Sequence, residues 1–251
     1  MISTVDHQRV RELRLARPPV NALNPALIAA LRDALAQAAR DGCAGIVLSG
    51  APGRFSGGLD VPELLRLGRP ELRDTWEQFF ALMKDIATSD VPIAAALTGH
   101  SPAGGTVLAI FTDYRLLADG PFLVGLNEVR VGLPVPEVLH RALVHVVGAR
   151  QAERLAVGGL LLGPAEALRV GLVDEVVPAD DVIPRAIAWV GDLLSRPPAA
   201  MTATRRLARR PLRDAFDAVT PAVLDAIADQ WFSGETQSVM LALAAKLGKR
   251  G

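Results

Sequence analysis

Cysteine occurs once in the 251 residues, as Cys43, so no disulfide can form within the chain and a reducing compartment is the default expectation. As a nucleophile Cys43 has little behind it. Asp41-Gly42-Cys43-Ala44-Gly45-Ile46 sets it at a strand entrance with no histidine nearby, and a buried structural thiol is expected. Net charge is absent too. Lysine plus arginine and aspartate plus glutamate both number 27, giving +0, which argues against a nucleic-acid binder held by bulk electrostatics and leaves room only for a local patch. No run approaches the ~18 consecutive apolar residues of a membrane span. Met1-Ile2-Ser3-Thr4-Val5-Asp6 brings an acid before any apolar signal region. The closing Leu247-Gly248-Lys249-Arg250-Gly251 matches no peroxisomal or retention signal. Together these absences are read as a cytoplasmic protein with no membrane partner. Internal repeats and low-complexity segments are absent as well.

What is present suits a soluble globular chain: 50% hydrophobic and 22% charged residues, with length for one large domain or one domain and an appendage. His7 to Arg17 alternates around Val10, Leu13 and Leu15 and predicts a half-buried strand. Asn24 is a good N-cap before Pro25 and opens an alanine- and leucine-rich helix to about Arg40. Ile46 to Ser49 reads as a short strand buried on both faces, so strand, helix and strand imply a right-handed crossover. A glycine-rich loop, Gly50 to Asp60, follows. Asp60 and Glu63 have capping-box spacing around Pro62, which predicts a helix start. Another helix is expected from Glu71 to about Thr88, burying Trp76, Phe79, Phe80 and Met83 as core or as the wall of a pocket. Val91 to Leu97 and Asp113 to Ala118 read as strands, separated by a small-residue turn and the apolar helical run Thr106 to Phe111. From Pro134 the pattern is helical: Pro136–Val147, Gln151–Val157, a short turn at Pro164–Leu168, then Val173–Val177, Asp180–Leu194, Ala199–Arg209, Leu212–Phe232 and Glu235–Leu247. The mixed pattern ends near Pro178, dividing an α/β core, residues 1–178, from a helical C-terminal region, residues 179–251.

Three chemistries compete. Gly99-His100-Ser101-Pro102-Ala103 comes within one residue of the G-x-S-x-G nucleophile elbow. The residue after such a serine must give its backbone N–H to the oxyanion, and Pro102 has none. His140 and His145 fall in one predicted helix rather than in triad order, so Ser101 and His100 are read as turn residues. Second, Arg205 to Arg213 holds five arginines in nine residues. This run fits a solvated helix face paired with Asp214 and Asp217, a contact to the phosphate of a bound substrate, or nucleic acid, for which no aromatic is interleaved. Third is enolate chemistry on an acyl thioester, which needs two converging N–H donors for the thioester oxygen and a base beside the α-carbon. Two glycine-rich strand-to-helix turns, Phe55 to Asp60 and Ser101 to Gly105, can each supply a donor. Glu128 supplies a carboxylate; its structural alternative is a charge at a helix start with Asn127 as cap.

Phe55-Ser56-Gly57-Gly58-Leu59-Asp60, Ser101-Pro102-Ala103-Gly104-Gly105 and Gly125-Leu126-Asn127-Glu128, in this order and spacing, resemble the motifs of the crotonase (enoyl-CoA hydratase/isomerase) superfamily, nearest to its Δ3,Δ2-enoyl-CoA isomerases. The resemblance runs from about Val10 to Val177 and continues weakly through the last helices. It implies an α/β fold, a crotonase-like spiral of ββα turns with a helical C-terminal trimerisation region, and hence a homotrimer or homohexamer. It also implies an acyl-CoA thioester substrate, CoA being part of that substrate, with no cofactor and no metal. Residue by residue it places the oxyanion hole at the N–H groups of Leu59 and Gly104, and substrate contacts at Ala22, Leu23, Ser56, Gly57, Gly58 and Asp60. The arginine run falls loosely near the CoA phosphates. Hydratases of this family use two glutamates; the second aligns with Glu128 and the first with Val107, which cannot transfer a proton. One carboxylate suffices to move a proton from C2 to C4 of a 3-enoyl thioester, so the resemblance implies an isomerase. A hydratase, or another crotonase-type acyl-CoA reaction such as decarboxylation or thioester hydrolysis, would need a second acid or a positioned water, for which Glu137 is the candidate, and a non-catalytic CoA-thioester or partner binder would use the same cradle.

Overall fold

In the computed structural model, which describes residues 1–248, the chain opens with a hairpin: β1 (Ile2–His7) and β2 (Val10–Leu15) pair antiparallel. The reading of the C-terminal tail extends into residues 249–251, which lie outside the described residues. The one strand expected over His7 to Arg17 is thus only the second arm of this hairpin. Gln8, at φ 57°, turns the chain, and the largely exposed β1 carries no apolar alternation to reveal it. Next comes α1 (Pro25–Arg40), where the Asn24 side chain accepts from the Leu27 N–H at 2.8 Å, as its cap position predicts.

Three ββα turns follow. β3 (Gly45–Ser49) and β4 (Gly53–Arg54) lead to α2 (Val61–Leu64) and α3 (Arg69–Thr88). β5 (Ile93–Leu97) and β6 (Gly99–Pro102) lead to α4 (Gly104–Ile110). β7 (Tyr114–Ala118) and β8 (Val124–Gly125) lead to a 3₁₀ turn, Glu128–Val131, and then α5 (Glu137–Val147), α6 (Ala149–Gly158) and α7 (Pro164–Arg169). β9 (Glu175–Val177) closes the sheet. After it come α8 (Val182–Leu194), α9 (Pro198–Ala208), α10 (Arg210–Asp214), α11 (Pro221–Trp231) and α12 (Gly234–Gly248). The long strands form one sheet in the order β1-β2-β3-β5-β7-β9, parallel except for the first pair. The short ones, β4-β6-β8, form a second parallel sheet, so each turn of the spiral adds one strand to each sheet.

Alternation divides the strand residues between two cores. Ile46, Leu48, Ile93, Ala95, Leu97 and Leu117 face the large core with α1, α3 and α4. Val47, Ala94, Ala96, Leu116 and Ala118 face α8 through Val182, Ala186 and Val190. The helix sits so close that a methyl group on Gly45 would lie 2.3 Å from Val190 Cγ1. Among the described residues no helix is long and apolar enough to cross a membrane.

Several expectations need correcting. Gly99 to Pro102, read as part of a turn, is strand β6, and Pro164 to Leu168 begins a helix. The single helix expected over Leu212 to Phe232 is broken: a 3₁₀ turn covers Ala215–Ala218, and α11 starts afresh at Pro221 under a Thr220 side-chain cap. Cys43, expected to be buried, is half-buried at the entrance to β3. Asp214 and Asp217 do not neutralise the arginine run. Arg205 and Arg209 turn inward to Asp113, and Arg206 pairs with Asp90.

Candidate active site

The loop that carries Leu59 is built from beneath. The Asn21 side chain donates to Phe55 O at 3.0 Å, and Ser56 Oγ donates to Asn21 O at 2.8 Å while accepting the Gly58 N–H at 3.2 Å. Gly57 N–H donates to Val20 O at 2.7 Å. Leu23 then forms a parallel bridge to Leu59: its N–H donates to Gly58 O at 2.7 Å, and its carbonyl accepts the Asp60 N–H at 3.0 Å. A strand residue bridged this way points its own N–H to the opposite side, and the Leu59 N–H has no acceptor among the described residues. Gly58 sits at φ +85°, a conformation glycine adopts without strain. Asp60 caps α2, accepting the Glu63 N–H at 3.0 Å, and pairs with Arg17 at 2.7 Å. The reciprocal half of the capping box is missing because Leu23 holds the Asp60 N–H; Glu63 instead accepts from Arg17 and Asn24.

The second turn is the start of α4. Ala103, the residue before it, is held at φ 47° and ψ −122°, a costly conformation for a residue with a side chain. Gly104 is the first helical residue, so its N–H has no partner within the helix. Hydrogen bonds tie this turn to the segment leading to Glu128. Ala103 N–H donates to Gly125 O at 2.8 Å, and Gly125 N–H donates to Thr106 Oγ1 at 2.7 Å. At φ +143°, a methyl on Gly125 would lie 2.2 Å from Leu160 O, so only glycine fits. The two donor turns abut. A methyl on Gly104 would lie 3.3 Å from the Leu59 nitrogen, and one on Gly58 would lie 3.3 Å from the Gly104 nitrogen.

A cavity of about 450 Å³ opens over both turns. Leu59, Gly104 and Glu128 line it together, with Gly57 and Val107. Trp76 and Phe79 of α3, Leu139 of α5, Trp231 of α11 and Met240 of α12 make apolar walls. Glu128 begins the 3₁₀ turn and is only 7% exposed. Asn127 makes no side-chain cap bond there, so the capping role considered for it is not realised. The Glu128 Oε2 atom is buried with no hydrogen-bond partner among the described residues. Burial raises the Glu128 pKa to about 7, opposed by its own backbone N–H. A carboxyl group at that value can take a proton and give it back near neutral pH.

Of the nine residues singled out from the sequence, four border this cavity: Gly57, Leu59, Gly104 and Glu128. Leu23 is fully buried with both backbone polar groups committed, and it backs the turns with its side chain. The Ala22 carbonyl accepts from Arg17 Nη1 at 2.9 Å. Ser56, Gly58 and Asp60 shape the loop rather than border the cavity. Glu137, the candidate second acid, pairs on the surface with Arg141 and stands outside the cavity lining, whereas Val107 is inside it. Trp231, Met240 and Leu139 escaped the sequence reading. They lie on amphipathic helices where nothing local distinguishes a pocket wall from core. Trp76 and Phe79 are both, being buried in the core and part of the lining.

Placing a methyl on Gly104 crowds the Leu59 nitrogen and also Leu23 Cδ1, at 3.1 Å. A Gly104→Ala variant keeps its own N–H but pushes the paired Leu59 amide out of place, and it is expected to lose up to the ~100- to 1,000-fold in kcat that the loss of one oxyanion donor costs, with little change in Tm. Steady-state kinetics beside a melting curve read the two effects apart; unchanged kcat would show that the spacing of the two amides tolerates the added methyl.

Comparison with known proteins follows the same lines. The profile of the enoyl-CoA hydratase/isomerase family matches residues 6–239. The chain is 35% identical over 217 residues to the mitochondrial enoyl-CoA delta isomerase 1 of Mus musculus, covering 85% of this chain and 75% of that one. It is 34% identical over 197 residues to a probable enoyl-CoA hydratase of Mycobacterium avium, covering 77% of this chain and 75% of that protein. The crystal structure of human mitochondrial Δ3-Δ2-enoyl-CoA isomerase superposes with a TM-score of 0.95 at 29% identity, covering 99% of this chain and 98% of that one. An enoyl-CoA hydratase structure from Mycobacterium ulcerans superposes with a TM-score of 0.82 at 25% identity, covering 92% of this chain and 99% of that one.

Proposed function

The chain belongs to the enoyl-CoA hydratase/isomerase family, and from that premise we propose that it shifts the double bond of a 3-enoyl-CoA to give the trans-2-enoyl-CoA. One observation carries the choice within the family: among the described residues a single buried carboxyl group, Glu128, borders the cavity, and Val107, which the family resemblance aligns with the second acid of hydratases, borders it too. The thioester oxygen lies between the N–H groups of Leu59 and Gly104, which stabilise the charge that gathers on it. Glu128 Oε2 takes a proton from C2, and the electron pair of the broken C–H bond forms a dienolate whose charge is shared among that oxygen, C2 and C4. The same carboxyl group returns the proton at C4. Protons and electrons balance without an external reagent, so the reaction asks for no cofactor beyond the CoA of the substrate, and no metal. The raised pKa of Glu128 supports both halves of the transfer.

Incubation with 3-hexenoyl-CoA and, separately, 2-hexenoyl-CoA tests the reading. Conversion of the first to the conjugated 2-enoyl thioester, seen by its ultraviolet absorbance, is the expected result. Hydration of the second in place of isomerisation would make the protein a hydratase, and turnover of neither a non-catalytic binder. The same reading makes the protein a cytoplasmic homotrimer or homohexamer. Its lone Cys43 supports the compartment. Sedimentation velocity reads the assembly directly, and a monomer would overturn that part.

A further inference from the structure

We infer that Trp231 and Met240, at the closed end of the cavity, form a stop that sets how long an acyl chain the enzyme accepts. The inference rests on the reading of this cavity as the acyl pocket. Burial is graded along the last helix. Thr236, Met240, Leu243 and Leu247 follow one another at intervals of four, three and four, which puts them on one face. Met240, Leu243 and Leu247 all border the cavity. Met240 is 1% exposed, Leu243 is half-buried and Leu247 is 47% exposed, so the cavity deepens from Leu247 towards Met240 over roughly 10 Å of helix. Trp231, the largest fully buried side chain among the described residues, borders the same cavity from α11, which packs against α12.

The helix is held in this register by its first turn. Thr236 Oγ1 donates to Gly132 O at 2.6 Å, and a methyl on Gly132 would lie 3.1 Å from Thr236 Cα. Gly132 ends the 3₁₀ turn that Glu128 begins. The wall facing the acyl chain is therefore fixed to the same turn as the carboxyl group that moves the proton. Depth measured from the reacting carbons to Met240 is then a constant of the fold, and a chain that outruns it must displace packed side chains. Methionine suits a stop that grips its ligand, because its unbranched thioether adjusts to irregular gaps.

The test is a series of 3-enoyl-CoAs from hexenoyl to hexadecenoyl, with kcat/KM measured for wild type, Met240→Ala and Met240→Phe. In wild type each added methylene should improve kcat/KM about fourfold until the stop is met, and kcat/KM should then fall. Met240→Ala removes three heavy atoms and is expected to move that break about two to three carbons longer. The first chain rejected by wild type should gain about 10-fold or more. Met240→Phe should move the break the other way. Met240→Leu, close to volume-conserving, serves as the folding control, with Tm measured for all four proteins. One break point shared by wild type, Met240→Ala and Met240→Phe would overturn the inference. Should wild type isomerise no 3-enoyl-CoA of any length, the functional reading falls separately. Calorimetric binding of saturated hexanoyl- to hexadecanoyl-CoA across the same variants would still locate the stop or refute it.

Discussion

A Glu128→Gln protein is expected to fold normally and to lose roughly 10³- to 10⁴-fold in kcat for 3-enoyl-CoA isomerisation, the upper range for a positioned acid–base group. Glutamine keeps the shape and the hydrogen-bonding reach of the side chain but cannot hold the proton between its departure from C2 and its arrival at C4. No other carboxyl group borders the cavity among the described residues, so no neighbour can substitute. Full activity in this variant would end the assignment. The pH profile gives a second reading. Glu128 must be ionised in the free enzyme to take the first proton, so with a pKa of about 7 kcat/KM should rise about tenfold per pH unit below 7 and level off above it.

The same variant should change stability with a definite sign. In the unfolded chain Glu128 returns towards the ordinary glutamate value of 4.5, whereas in the fold burial raises it to about 7. A raised folded-state pKa favours the folded protein below the unfolded pKa, and that contribution is lost as pH climbs through the folded value. By pH 8 the buried carboxylate costs on the order of 3 kcal/mol relative to its protonated form. Glu128→Gln escapes that cost, so its Tm should exceed that of wild type at pH 8 and approach it at pH 5. Gain of stability with loss of activity is the pattern of a residue kept for chemistry; equal Tm differences at both pH values would contradict the raised pKa.

The parts of this site that could be read from the sequence are those where backbone geometry demands a particular residue. Gly58 stands where φ is positive, Gly104 where a methyl would crowd an amide, and Asn24 and Asp60 where a helix start needs an acceptor. Local demands leave local signatures. Strands of two to four residues leave none, and so β4, β6 and β8, which bring the two donor turns together, could not be seen. Thr220-Pro221 is a different case: it repeats the cap-then-proline signal of Asn24-Pro25, and it marked the start of α11 inside what was read as one helix. The closed end of the pocket was hidden for a third reason. Trp231 and Met240 are ordinary apolar helix residues, and only the packing of α11 on α3 and of α12 on α2 and the Glu128–Val131 turn, from far along the chain, makes them a wall.

Asp113→Ala is expected to destabilise the protein by about 3 to 5 kcal/mol, a large part of the total stability of an ordinary domain. Asp113 accepts from Arg205 Nε at 2.8 Å and Nη2 at 2.9 Å, from Arg209 Nη1 at 3.0 Å and from the Ile93 N–H at 2.8 Å. Both guanidinium groups are nearly buried, 8% and 7% exposed. Burial, opposed by Asp113 and reinforced by Arg205 and Arg115, brings Arg209 down to about 10. Arg209 also donates to the carbonyls of Ala87 and Phe111, so it joins the ends of α3 and α4 to the C-terminal helices. Removing the carboxylate leaves two buried cations facing each other, and that uncompensated charge, more than the lost attraction, sets the size of the effect. A fall in Tm of roughly 6 to 20 °C follows for a chain of this length. Combining Asp113→Ala with Arg205→Ala should cost less than the sum of the two, because the second change removes one of the stranded charges. The experiment also decides what the arginine run is for. If Arg205 and Arg209 served the CoA phosphates, Arg205→Ala would raise KM and leave Tm alone. With Asp113 lying 92 and 96 residues upstream of them, no reading of neighbours in sequence could have paired them. The fold pairs them because α10 packs on α3 and brings both guanidinium groups to the end of that helix beside Asp113, where an unpaired carboxylate and two unpaired guanidinium groups would each be too costly to bury alone.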